Sequence, residues 1–179
     1  MSLSKSIRAT HDSLASLFDQ MVDSLDADDQ TRLQNQFVWE LARHLVAEEL
    51  VLYPAMAKYV DRGVLDLDRD RREHESIKYY LRLFQGIPPQ DPRFTSTITR
   101  LMGELRAHLR REQDTELVLL ENAITSEENL RLAKSLSRTK LFVPTRAHPQ
   151  APDQPPFETA ASLLLAPMDM LNDLLRRWP

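Results

Sequence analysis

From Leu3 onward, apolar residues fall three and four apart, the spacing that lines one face of an α-helix. Leu3, Ile7, Leu14, Leu17, Phe18, Met21, Val22 and Leu25 predict a first helix over about 4–25. The aspartates of Asp26-Ala27-Asp28-Asp29 end it and cap the next one. Leu33, Phe37, Leu41 and Val51 mark one face of a second helix over about 29–59. Pro54 is expected to kink that helix near Leu50, because proline lacks the N–H and crowds the preceding turn. Gly63 marks a turn, and a third helix follows over about 66–85. Its inner face is Leu67, Asp70 or Arg71, Ile77 or Lys78, and Leu81. The run from Gly86 to Pro92 is the clearest break in the chain. Ile98, Leu101, Leu105 and Leu119 then predict a fourth helix over about 94–124. Thr125-Ser126-Glu127-Glu128 has the form of a cap opening a short helix to about 137.

Beyond it, Val143 to Phe157 holds five prolines and is expected to be extended. Residues 158–178 turn apolar again, at Leu163, Leu164, Leu165, Met168, Leu171, Leu174 and Leu175. A tail this apolar is expected to fold back on the rest, or to cover a partner. Four long helices with short connections predict an all-α protein, an antiparallel up-down-up-down four-helix bundle. The expected division is a bundle over 1–138, with 139–179 as a Pro-rich segment and C-terminal helix packed on the same domain.

Composition narrows the chemistry. The 179 residues are enough for one buried core, and only 3 Gly and 7% aromatics agree with helix over sheet. A net charge of −4 without a basic stripe gives no reason to expect a nucleic-acid partner. The absence of Cys excludes disulfides, thiolate metal sites, iron–sulfur clusters and a Cys nucleophile. No apolar run approaches the ~18–20 residues that span a bilayer, so no membrane partner is expected. The first 14 residues lack the apolar centre of a secretory signal. The expectation is a soluble, cytoplasmic protein.

Histidines supply the candidate chemistry. His44 is followed four residues later by Glu48, and 64 positions on His108 is followed four later by Glu112. Residues four apart on a helix project from one face, so each pair aims an imidazole and a carboxylate the same way. His11 and His74 add one imidazole on each remaining long helix. The four histidines are separated by 33, 30 and 34 positions, each pair nearly centred on an expected turn. In an up-and-down bundle that puts all four at one height. Glu48 and Glu112 lie about 6 Å further along two parallel helices, at 1.5 Å per residue. Buried carboxylates are costly unless paired or metal-bound, so this layer makes little sense without a cation. Two carboxylates on opposite helices can bridge two metals, with the histidines as terminal ligands.

These residues resemble a known family. His11 with Asp12, His44-x-x-x-Glu48-Glu49 followed by Leu52-Tyr53-Pro54, His74-Glu75 and His108-x-x-x-Glu112 look like a hemerythrin-like protein of the HHE cation-binding family. The resemblance covers roughly residues 3–124. It implies a hemerythrin-like bundle with two non-heme iron ions, including oxo- or hydroxo-bridged forms. His11 and His44 would serve one iron, His74 and His108 the other, and Glu48 and Glu112 would bridge. Manganese or zinc also suits these donors. The chain departs from oxygen-carrying hemerythrins at Lys78, where they have a second His, and at Glu112, where they have an Asp one residue later. One iron would then lack a protein ligand and be open to water, oxygen, peroxide or nitric oxide. Lys78 would hydrogen-bond a bound oxygen species, pair with a carboxylate, or sit solvated near the surface.

Tyr53 and Tyr80 are candidates for donors beside the site, with aromatic packing as the default. Glu49 and Glu116 are expected at the surface, with extra or replacement ligation as the alternative. Glu75, His148 and the Arg69–Arg72 run are expected to face solvent. The implied function is binding of a diatomic gas or peroxide for sensing, storage or detoxification. The alternatives are a di-iron oxidase, oxygenase or peroxidase on another substrate, and an iron sensor acting on a protein partner through the apolar helix at 160–175.

Overall fold

The computed structural model describes residues 1–61, 63–147 and 166–179. Its long elements follow the apolar spacing. Helix α1 spans Leu3–Asp23 and α2 spans Ala27–Ala47. After a π-helical segment at Glu48–Leu52 comes α3, Tyr53–Tyr59. Helix α4 spans Leu67–Phe84 and α5 spans Phe94–Arg111. A second π-helical segment, Glu112–Glu116, leads into α6, Leu117–Ala123, and α7 covers Ser126–Thr139. The four arms of the bundle are α1, α2 with α3, α4, and α5 with α6. Among the described residues there is no strand, and no helix is long and apolar enough to cross a membrane.

Local chemistry starts the helices where the sequence predicts. The Asp26 carboxylate accepts from the Asp28 and Asp29 amides, Asp66 from Arg69, and Thr125 from Glu128. Each satisfies amides that have no partner inside the helix. At the far end of α4, buried Gln34 donates to the carbonyls of Phe84 and Ile87, at 2.7 and 2.8 Å. That contact ties α2 to the break between α4 and α5.

The core is divided. One apolar cluster, around Leu14, Phe37, Leu41, Leu81, Phe84 and Leu101, fills the end of the bundle near the α1–α2 and α4–α5 turns. The other, around Leu3, Ile7, Leu52, Met56, Leu117 and Leu120, fills the opposite end, where α7 contributes Leu132, Ala133 and Leu136. Along α1 the two meet at His11, between Ile7 and Leu14. Along α5 and α6 they meet at His108 and Glu112. The polar layer is thus closed above and below by hydrocarbon.

The differences from sequence expectation are local. The first helix ends at Asp23, and Val22 and Leu25 lie exposed. The second and fourth helices are each interrupted by a π-helical segment. Beyond the second of these the inward positions are Leu117 and Leu120, with Leu119 only partly buried. Of the C-terminal stretch, residues 166–173 are helical. Asp169 accepts from the amides of Thr145 and Arg146, and the Trp178 ring stands edge-on to Trp39, 6.0 Å between centroids. The rest of the Pro-rich segment, with His148, lies outside the described residues.

Candidate metal centre

His44 and His108 each sit in the last turn of a regular α-helix, and Glu48 and Glu112 begin the π-helical segments. The Glu48 amide still bonds back to the His44 carbonyl, and the Glu112 amide to the His108 carbonyl. The four-residue spacing is therefore α-helical in both pairs, and each wide turn follows its carboxylate. At Tyr53 and at Leu117 the amide reaches back five residues, to the carbonyls of Glu48 and Glu112. Such π-insertions concentrate at functional sites.

All six expected site residues are buried and meet in one layer. His11 Nε2 lies 3.1 Å from His44 Nε2, and His74 Nε2 lies 3.1 Å from His108 Nε2. Glu48 reaches both pairs, with Oε1 3.0 Å from His44 Nε2 and Oε2 3.5 Å from His74 Nε2. Glu112 Oε2 lies 3.2 Å from His11 Nε2. Besides Asp70, Glu73 and His108 at its edge, this layer holds two groups of donors able to converge on a cation: His11, His44, Glu48 and Glu112, and Glu48, His74 and His108. Glu48 belongs to both.

Burial and mutual charge set the protonation of this layer without a metal. Burial, with the neighbouring His44, pushes His11 down to about 3. His44 is lowered, chiefly by burial, and burial with the nearby His74 takes His108 down to about 4. Burial acts the same way on His74, but bonds to Glu48 and Glu49 outweigh it and raise this imidazole to about 9. Burial also opposes ionisation of Glu48, yet His44 and His74 hold it well below the usual carboxylate range. Burial and the adjacent Glu48 drive Glu112 well above that range.

The arrangement fits a cation on its own chemistry. The carboxylate oxygens of Glu48 and Glu112 are buried without a well-formed hydrogen bond, although imidazole nitrogens face them. Orphaned buried carboxylates of this kind are rare, and they call for an ion. The imidazole nitrogens that face inward are all Nε2, which leaves Nδ1 for outer partners.

Those outer partners were only partly foreseen. His74 Nδ1 lies 2.9 Å from Glu49, which is in turn bonded to Lys78 at 2.7 and 2.9 Å. Lys78 thus pairs with a carboxylate, one of its three expected roles. His108 Nδ1 lies 3.1 Å from Glu73, which is bonded to Arg111. His11 Nδ1 lies 2.5 Å from the Gln113 amide, and His44 Nδ1 has no hydrogen-bond partner among the described residues. Sequence reasoning passed over Glu73, Gln113 and Arg111. Their one signal was adjacency, since Glu73 precedes His74 while Arg111 and Gln113 flank Glu112. Glu116, expected at the surface, is buried, and Arg111 and Arg69 bracket it together with buried Asp70. Tyr53 does reach the site, its hydroxyl 2.7 Å from His74 Nε2. Burial and the surrounding carboxylates raise that phenol well above its ordinary range and keep it protonated.

Residues 2–120 match the hemerythrin HHE cation binding domain. The chain belongs to that family. It is 42% identical, over 99% of its own length and 88% of the relative's, to an uncharacterized hemerythrin-like protein of Schizosaccharomyces pombe. It is 26% identical to a DNA nickase of Nostoc over 84% of the chain, which spans only 42% of that longer protein. Among solved structures, a hemerythrin HHE cation binding domain-containing protein from Mycobacterium kansasii superposes with a TM-score of 0.67 at 16% identity. That superposition covers 79% of this chain and 86% of the other, and it bears on the fold alone. The HHE family and the buried His/Glu layer together support divalent-metal binding.

Proposed function

We propose that the protein holds two non-heme iron ions, or another divalent pair, and binds O2, NO or peroxide beside them for sensing, storage or detoxification. The observation that carries this reading is the sharing of Glu48 between two converging donor groups. His11, His44, Glu48 and Glu112 would hold one metal, and His74, His108 and Glu48 the other. When bound, iron supplies reversible binding or reduction of a small oxygen or nitrogen ligand.

The protein's own groups define where that ligand goes. The second group has one donor fewer than the first, and the Tyr53 hydroxyl stands beside it. Kept protonated by burial, the Tyr53 hydroxyl, 2.7 Å from His74 Nε2, would be placed to donate a hydrogen bond to a small ligand bound beside the second group. The apolar clusters above and below exclude bulk water, which strengthens each polar contact inside. Metal analysis of the purified protein tests the reading first, with two metals per chain expected. Fewer than one, unchanged by Glu48→Ala with Glu112→Ala, would sink it. Anaerobic reduction followed by air then separates the roles. A stable, reversible spectrum supports ligand binding, and rapid oxidation without one supports an oxidase or peroxidase.

A further inference from the structure

The two donor groups differ in what stands behind them. At the second, both imidazoles are backed by carboxylates, and each carboxylate is held by a cation. Lys78–Glu49–His74 and Arg111–Glu73–His108 form two parallel chains from the surface to the site. At the first, His11 meets the neutral amide of Gln113, and His44 Nδ1 is buried with no partner among the described residues.

An imidazole that donates Nδ1–H to a carboxylate is fixed in tautomer and ring orientation, and its Nε2 becomes a stronger donor. We propose that Glu49 and Glu73 are positioning residues for one metal only: through His74 and His108 they set the affinity of that position, and the His11/His44 position has no counterpart. Lys78 then acts through Glu49. It stands one helical turn from His74, contributes no ligand atom, and strengthens the imidazole that is there. The inference rests on the two-metal reading, and its test keeps the two separable.

The experiment titrates metal-depleted full-length protein with Co2+ and follows visible absorption and the stoichiometry. Glu49→Gln with Glu73→Gln keeps side-chain size and an acceptor oxygen but removes the charge. The variant is expected to bind two Co2+, one with wild-type affinity and one weakened by about tenfold or more. Two backgrounds assign the change. In His44→Ala, which cripples the first position, the Gln pair should weaken the remaining site. In His108→Ala, which cripples the second, it should leave the remaining site unchanged. Gln113→Glu supplies the missing carboxylate behind His11 and should tighten the first position alone. Equal weakening in both backgrounds, or no change in either, overturns the inference and leaves the two-metal reading intact. Wild-type protein that binds fewer than two Co2+ overturns that reading, and the inference with it.

Discussion

At the scale of residues, Tyr53 and Glu116 are tested by removing one polar group each. Tyr53→Phe deletes the hydroxyl beside His74 Nε2 and leaves every proposed ligand in place. It should keep two metals yet bind azide, an anionic probe of the open position, about 10- to 100-fold more weakly, the worth of one hydrogen bond to a charged group. An optical titration of the oxidised protein reads this, and an unchanged azide affinity would remove Tyr53 from the ligand pocket. Glu116 makes a pH prediction. Burial and the adjacent Asp70 raise its carboxyl to about 7, against the opposing pull of Arg111 and Arg69. A carboxyl raised by folding holds its proton more tightly in the native state. Its contribution is therefore intact below about pH 4.5 and is lost as pH rises through about 7. Glu116→Gln cannot lose what it does not titrate. Its stability relative to wild type should improve between pH 4.5 and 8, by on the order of 2–3 kcal/mol. Melts at both ends of that range check the sign, and a difference that shrinks with pH would contradict it. The six proposed ligands were legible as spacings because helix periodicity alone brings them to one face. Glu73, Gln113, Arg111 and the burial of Glu116 were not, since they depend on which rotamer reaches across to a neighbouring helix. No count along one chain reports that.

At the scale of elements, the two interrupted helices repeat one device: a regular helix up to the His and Glu pair, then a five-residue π-helical segment, then seven more α-helical residues. The first interruption had a marker in the sequence, because Pro54 cannot supply an amide to the continuing helix. Its expected kink near Leu50 falls inside the observed segment. The second has no proline or glycine, so a single helix from 94 to 124 was the natural expectation, and Leu119 was given the inward place that Leu117 and Leu120 hold. The extra residue in the wide turn accounts for that shift. Deleting exposed Thr115 removes that extra residue and should restore an ordinary turn with Leu117 and Leu120 still facing the core. An alanine inserted between Thr115 and Glu116 adds a residue that the turn does not already hold, and should rotate α6 by about 100° against the bundle. Leu117 and Leu120 would then leave the core, and burial losses of about 2–5 kcal/mol each set the scale. His108 and Glu112 precede both changes, so both variants should keep their metal. The urea midpoint should stay near wild type in the deletion and fall by the equivalent of at least about 3 kcal/mol in the insertion. A deletion as damaging as the insertion would mean that the wide turn does not set the register of α6.

At the scale of the molecule, each of the four arms contributes at least one inward ligand candidate to a layer with an apolar cluster on either side. The C-terminal segment docks elsewhere: Trp178 and Arg177 contact Arg32, Asn35 and Trp39 on the outer part of α2. Whatever neutralises the layer therefore acts on the four arms together. Without a metal, Glu48 and Glu112 carry buried oxygens that lack a well-formed hydrogen bond among the described residues, and that penalty falls on the native state alone. With metal at a thousandfold its dissociation constant, each occupied position stabilises the native chain by about 4 kcal/mol, less any binding to unfolded histidines. Two positions amount to about 8 kcal/mol, which in a chain of this size raises Tm by roughly 15–30 °C. Calorimetry of the protein as purified and after chelation should register a difference of that order, with one cooperative transition in each case. The Glu48→Ala, Glu112→Ala protein should melt at the same temperature with and without chelator. A wild-type melt indifferent to chelation, in protein verified to carry two metals, would mean that the ions sit where they do not join the four arms.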